Sequence, residues 1–142
     1  MYINDRDAYT TYGAFLSADR RGELKNYSAL LKPPAMKPYI AVAFREEDGE
    51  KLPEELTPSF EARDIDLQFT IVASGSAEFL QRYSSFVAML RSGWLDIRLP
   101  DLGRVFRVYY KNCSEFGQLT PLEGGAVAGK FKVKFREPKP GI

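Results

Sequence analysis

The stretch Ala62-Arg63-Asp64-Ile65-Asp66-Leu67-Gln68-Phe69-Thr70-Ile71-Val72-Ala73 decides the fold. Ile65, Leu67, Phe69 and Ile71 alternate with Asp64, Asp66, Gln68 and Thr70. Side chains on a strand point to opposite faces with period two, so this segment has one apolar and one polar face. Its counterpart lies near the other end of the chain, in Ala128-Gly129-Lys130-Phe131-Lys132-Val133-Lys134-Phe135-Arg136. There Phe131, Val133 and Phe135 alternate with Lys130, Lys132, Lys134 and Arg136. The first polar face is acidic at its start and the second is basic throughout. Paired side by side, the two strands match opposite charges, at ~0.2–1 kcal/mol for each pair. The core is expected to be an antiparallel sheet with one wet face, a scaffold rather than a parallel nucleotide-binding sheet.

Working outward, Ser74-Gly75-Ser76 reads as a turn ending in a helix N-cap residue. Phe79, Leu80, Tyr83, Phe86, Val87 and Leu90 then recur at spacings of three and four. That spacing predicts one long amphipathic helix over about 77–91, stopped by Gly93 and laid across one face of the sheet. Trp94 to Leu99 alternates again, Pro100-Asp101-Leu102-Gly103 is a turn, and 105–110 returns as the second arm of a hairpin. A short strand over 115–119 and a flexible loop over 121–125 precede the closing strand 128–136. Residues 137–142, with Pro138 and Pro140, form a C-terminal tail. Phe79, Tyr83, Phe86, Leu90, Ile65, Leu67, Phe69, Ile71, Phe131, Val133 and Phe135 are the expected core.

Upstream, Asp7 reads as the N-cap of a short helix that Gly13 closes in the left-handed conformation, and 14–16 is extended. Asp19-Arg20-Arg21-Gly22 is a turn, and Pro33-Pro34 is a rigid connection. Ile40, Val42 and Phe44 alternate with Tyr39, Ala41 and Ala43, which predicts a strand over 39–44. Residues 45–60 are then polar and acidic, with Glu46, Glu47, Asp48, Glu50, Glu54 and Glu55 among Gly49, Pro53 and Pro58. So long a connection is either a functional arm or a solvated connector.

The whole of 1–142 is expected to be a single domain, α+β and mainly antiparallel β. Its 44% hydrophobic and 27% charged residues are those of a soluble globular protein. The net charge of +1 removes any bulk electrostatic case for nucleic acid or an anionic membrane. Ten Phe, eight Tyr and one Trp lean towards a sheet core and protein interfaces. Cys113, the single cysteine, allows no intrachain disulfide and is expected as a small half-buried residue at a strand end. The amino terminus carries no apolar segment of signal-peptide length, and no run reaches the ~20 residues that span a bilayer. The reading is a protein made in the cytosol, with no membrane partner.

The chain has no histidine, which removes the commonest general base and the commonest transition-metal ligand. One cysteine excludes thiolate zinc and iron–sulfur sites within a single chain. Asp64 and Asp66 sit on a solvated strand face, and Glu46-Glu47-Asp48 sits in a loop, so neither group reads as a catalytic carboxylate pair. Gly124-Gly125-Ala126-Val127-Ala128-Gly129 lacks the Lys-Ser/Thr ending of a phosphate loop, and 45–55 does not follow the calcium-loop pattern. The basic strand with Tyr109 and Tyr110 has the ingredients of a single-strand nucleic-acid platform, but the acidic strand beside it neutralises that face. No catalytic, cofactor-binding or metal residue is assigned, and no enzyme activity is expected.

The order of parts nonetheless resembles a known family. The opening Met-Tyr-Ile-Asn-Asp-Arg-Asp-Ala-Tyr-Thr-Thr-Tyr-Gly-Ala-Phe-Leu, residues 1–16, is similar to the start of bacteriophage tail proteins of the distal-tail kind. Arg63-Asp64-Ile65-Asp66-Leu67, the helix from Phe79 to Leu90, Gly93-Trp94-Leu95-Asp96-Ile97-Arg98-Leu99-Pro100-Asp101 and the close Lys130-Phe131-Lys132-Val133-Lys134-Phe135 continue the likeness. The resemblance implies a β-sandwich or split barrel with one flanking helix, shared by distal-tail and tail-tube proteins. It also implies a homo-oligomeric ring, commonly a hexamer, in a virion tail of a phage or prophage made in the bacterial host cytoplasm. Neighbouring tail or baseplate proteins would be partners, and DNA would pass through the ring without specific binding. A lumen wall for DNA should be neutral or acidic, which points to 46–55 or to Asp64 and Asp66. The rivals are a monomeric β-sandwich binding module recognising protein or glycan through exposed Tyr and Trp, and a small carboxylate-dependent enzyme.

Overall fold

The computed structural model of the protein describes residues 1–18, 22, 24–121 and 125–142. The expected turn at 19–22 and loop at 121–125 lie largely outside them. The chain opens with a tight hairpin, β1 (Tyr2–Ile3) and β2 (Arg6–Asp7). Its turn residues, Asn4 and Asp5, have φ of 51° and 65°, a conformation that Asn and Asp tolerate best among residues with a side chain. Asp7 then caps α1 (Ala8–Tyr12) by accepting the Tyr9 N–H at 3.0 Å, and Gly13 closes the helix at φ 66°. Both ends are as expected.

The remaining elements are β3 (Ala14–Leu16), α2 (Lys25–Leu31), β4 (Arg63–Ala73), α3 (Ser76–Leu90), β5 (Leu95–Leu99), β6 (Arg104–Gln118) and β7 (Val127–Glu137). The strands run in the order β2-β1-β5-β6-β7-β4-β3, every pair antiparallel. This is an α+β, mainly antiparallel, sandwich-like fold. β6 belongs to both halves of the sheet: residues 104–108 pair with β5, and 109–118 pair with β7 through two irregularities. Residues 115–119 are therefore largely a continuation of β6 and not a separate strand.

β4 and β7 pair antiparallel over their full length, with Asp64 opposite Arg136, Asp66 opposite Lys134 and Thr70 opposite Lys130. Their apolar faces meet α3. Phe69, Phe86 and Phe131 lie edge-on or tilted at ring distances of 5.3 to 5.8 Å. Burial of each such side chain contributes roughly 1.5–3 kcal/mol. Every expected core residue is buried except Tyr83, which is half-buried and edge-to-face with Phe131 at 5.4 Å between ring centres. Burial raises the pKa of that phenol.

Five further points differ from expectation. Residues 39–44 do not form a strand: only Val42 pairs, through an isolated bridge to Lys51, because no sheet lies beside them. The wet face of the sheet is only partly wet. Gln68 and Thr70 are buried, since Ser17 and Asn26 fold over them. The cap of α3 is Gly75, with Ser76 already helical; the Glu78 carboxylate turns back to accept the Ser74 N–H at 3.1 Å. Helix α2 follows from no pattern in the sequence; it lacks a side-chain cap and is held by contacts from distant residues. Cys113 is exposed in mid-strand, displaced by the irregularities of β6.

Candidate interaction surfaces

The charged sheet face comes first. Asp64 is gripped by Arg136 at 3.0 Å and Lys111 at 3.1 Å. Partial desolvation opposes its ionisation, but the hydrogen bonds from Arg136 and Lys111 outweigh it and hold the carboxyl below its ordinary value of 3.8. Glu115 approaches Lys132 at 3.9 Å. Asp64, Asp66 and Glu115 therefore face Lys111, Lys130, Lys132, Lys134 and Arg136, so the acidic strand neutralises this face only in part, against expectation, and it stays net basic. A depression of about 460 Å³ runs along it beside Gln68, Glu115, Phe116 and Lys130. Past Tyr109, no strand among the described residues covers the outer edge of β6, and residues 111–118 are all exposed.

The second surface is the arm. The excursion begins earlier than the acidic loop suggested, at Pro33, and ends at Ala62. Its base is tied by the Lys37 N–H to the Ser59 carbonyl (2.9 Å) and the Glu61 N–H to the Ala35 carbonyl (2.8 Å). Further out, Val42 and Lys51 exchange two backbone hydrogen bonds of 3.0 and 2.7 Å. Lys51 also bridges to Glu47 at 3.2 Å and lies over the Phe44 ring. The result is a loose hairpin with no buried residue of its own. Met36, Ile40, Val42, Phe44, Leu52, Leu56 and Phe60 are all exposed, Ile40 to 87%. Seven large apolar side chains thus lie exposed on one protrusion. Residues 33–62 hold seven carboxylates and three cations, net −4, so the rest of the chain is +5 against a total of +1.

The third surface is an aromatic ridge that the sequence reading did not single out. Trp94, immediately before β5, meets Tyr109 of β6 edge-to-face at 5.9 Å, and the two are 51% and 39% exposed. The Arg107 guanidinium lies over the indole at 4.7 Å and reaches Asp96 at 3.4 Å. Arg91 covers Tyr110 at 5.6 Å. Two depressions flank the ridge, about 230 Å³ beside Pro138 and Lys139, and about 410 Å³ beside Leu90 and Gly93. The period-two pattern held the signal: Leu95, Ile97 and Leu99 point inward, so Trp94 must point out.

Among the described residues there is no group of three or more His, Cys, Asp or Glu placed to hold a metal ion. No helix is long and apolar enough to cross a membrane, again among the described residues. No protein-family model matches the sequence, and neither does any curated protein. The structure is similar to that of the SPP1 Dit protein, described as a paradigm of the hub adsorption apparatus in phages infecting Gram-positive bacteria. The likeness has a TM-score of 0.58 at 15% identity and covers 97% of this chain and 49% of that one. The chain thus spans about half the length of the protein it resembles, and what the two share is the fold.

Proposed function

We propose that this chain is a non-enzymatic structural protein of a phage or prophage tail, assembling into a homo-oligomeric ring around a DNA channel. The observation that carries the proposal is the arm: seven exposed large apolar side chains on a segment without a core of its own need a partner surface. The fold likeness to SPP1 Dit supports the tail setting, with other tail or baseplate proteins above and below and a place in the virion tail. The arm is a different patch from the sheet surfaces, and unlike patches that meet head-to-tail close into rings when the rotation permits. Because Asp64 is neutralised by two cations, the acidic tip over 46–55 is the better candidate for a lumen wall. DNA would then pass without specific binding.

Light scattering across a concentration series, with negative-stain images, tests the proposal. A discrete ring of about six subunits with a central hole is the expected result. A strict monomer at every concentration, alone and with a neighbouring tail protein, overturns it. That outcome would favour a monomeric module binding protein or glycan through the ridge of Trp94 and Tyr109.

A further inference from the structure

We infer that the ridge of Trp94 and Tyr109 is the seat for the returning limb of the arm, Leu52-Pro53-Glu54-Glu55-Leu56-Thr57-Pro58, of a second copy of this chain. The inference rests on the self-association proposed above and adds which surfaces meet. Three observations converge on it. The ridge offers half-exposed aromatic faces between two depressions, a surface that apolar side chains of an extended peptide can fill. Its rim is cationic: Arg91, Arg107 and Lys139 stand against Asp96, which is already engaged by Arg107. The limb is the complement, with Glu54 and Glu55 between Leu52 and Leu56.

The limb is also prepared for such a role. Pro53 and Pro58 bias the residues before them to extended backbone, which lowers the ordering cost of binding. Leu52 and Leu56 remain 42% and 48% exposed within their own chain, so the limb is not seated at home. Arm and ridge are separate patches, which makes the contact heterologous, the kind that closes into a ring. Cation–π stacking of Arg107 on Trp94 keeps the guanidinium at the rim, where it can reach a carboxylate of the incoming limb.

The test is photo-crosslinking of the full chain carrying Leu56→p-benzoylphenylalanine, with the crosslinked peptides mapped by mass spectrometry in mixtures of isotopically light and heavy copies. Light scattering is run on the same samples. The expected result is a light–heavy crosslink into residues 91–110, reduced at least tenfold by Trp94→Ala and by Arg107→Glu. Both positions are exposed, and circular dichroism checks that the variants remain folded. An oligomer whose crosslinks map elsewhere, or persist in Trp94→Ala, overturns this inference and leaves the ring proposal standing. A monomer without crosslinks at millimolar concentration overturns both.

Discussion

Asn26 holds the main chain of Gln68, forty-two residues away, as a neighbouring strand would: its side-chain oxygen accepts the Gln68 N–H at 2.7 Å, and its amide donates to the Gln68 carbonyl at 3.4 Å. The same amide donates to the Ser17 carbonyl at 2.8 Å. β3 pairs with β4 only over Phe69 to Ile71, so the edge of β4 beyond Phe69 needs another partner. α2 supplies it with one buried side chain. Asn26→Ala leaves a buried N–H unpaired and is expected to cost about 1–3 kcal/mol, read as a lower urea midpoint at unchanged slope.

A second staple is the buried pair of Arg63 and Glu137, in contact at 2.5 Å. Arg63 also donates to the carbonyls of Leu30 and Lys32 at the end of α2 and lies over Phe106. One side chain thereby joins β4, β7, α2 and β6. Arg63→Met strands the Glu137 carboxylate and is expected to cost about 3–5 kcal/mol, whereas Arg63→Met with Glu137→Met recovers most of the loss. Equilibrium denaturation of both variants checks this.

Gly129 sits on the inner face of β7, where a Cβ would lie 2.6 Å from the Phe79 ring. The glycine is there to admit α3 closely to the sheet. Gly129→Ala must displace a buried ring, at about 1–3 kcal/mol. A falling melting temperature is expected, together with altered ring-shifted methyl signals near Phe79.

The depressed pKa of Asp64 makes a pH prediction. A group whose folded pKa lies below its unfolded value contributes stability that is present above the unfolded value, 3.8, and is lost as pH falls through the folded one. The carboxylate is partly exposed, so solvent screening limits the contribution to about 0–1 kcal/mol. Asp64→Asn should lower stability slightly at pH 7 and flatten the acid limb below about pH 4. High salt should narrow the difference between the two proteins.

Changes in the arm should separate assembly from folding. Ile40→Ser with Phe44→Ser removes exposed side chains that touch no core, so stability should move by no more than about 0.5 kcal/mol. The assembled mass in solution should fall. Unchanged mass with an intact ring would take Ile40 and Phe44 out of the contact.

The amino-acid pattern alone determined the elements that are amphipathic in themselves. Ile65 to Ile71 and Phe131 to Phe135 could only be half-buried strands, and Phe79 to Leu90 only a helix with one buried face, because period and hydrophobicity agree within each segment. The Asp7 cap and Gly13 stop were legible for the same local reason. Tertiary structure decided the rest. Ile40, Val42 and Phe44 alternate as clearly as Phe131 to Phe135, yet they form no strand, since alternation becomes a strand only where a neighbouring chain supplies hydrogen bonds. β1 is two residues long and exists because β5 lies beside it. α2 has no pattern of its own and is fixed by Asn26 and Arg63 reaching across the fold. The ridge needs Trp94, just ahead of β5, and Tyr109, on β6, and they come together only when β5 and β6 pair.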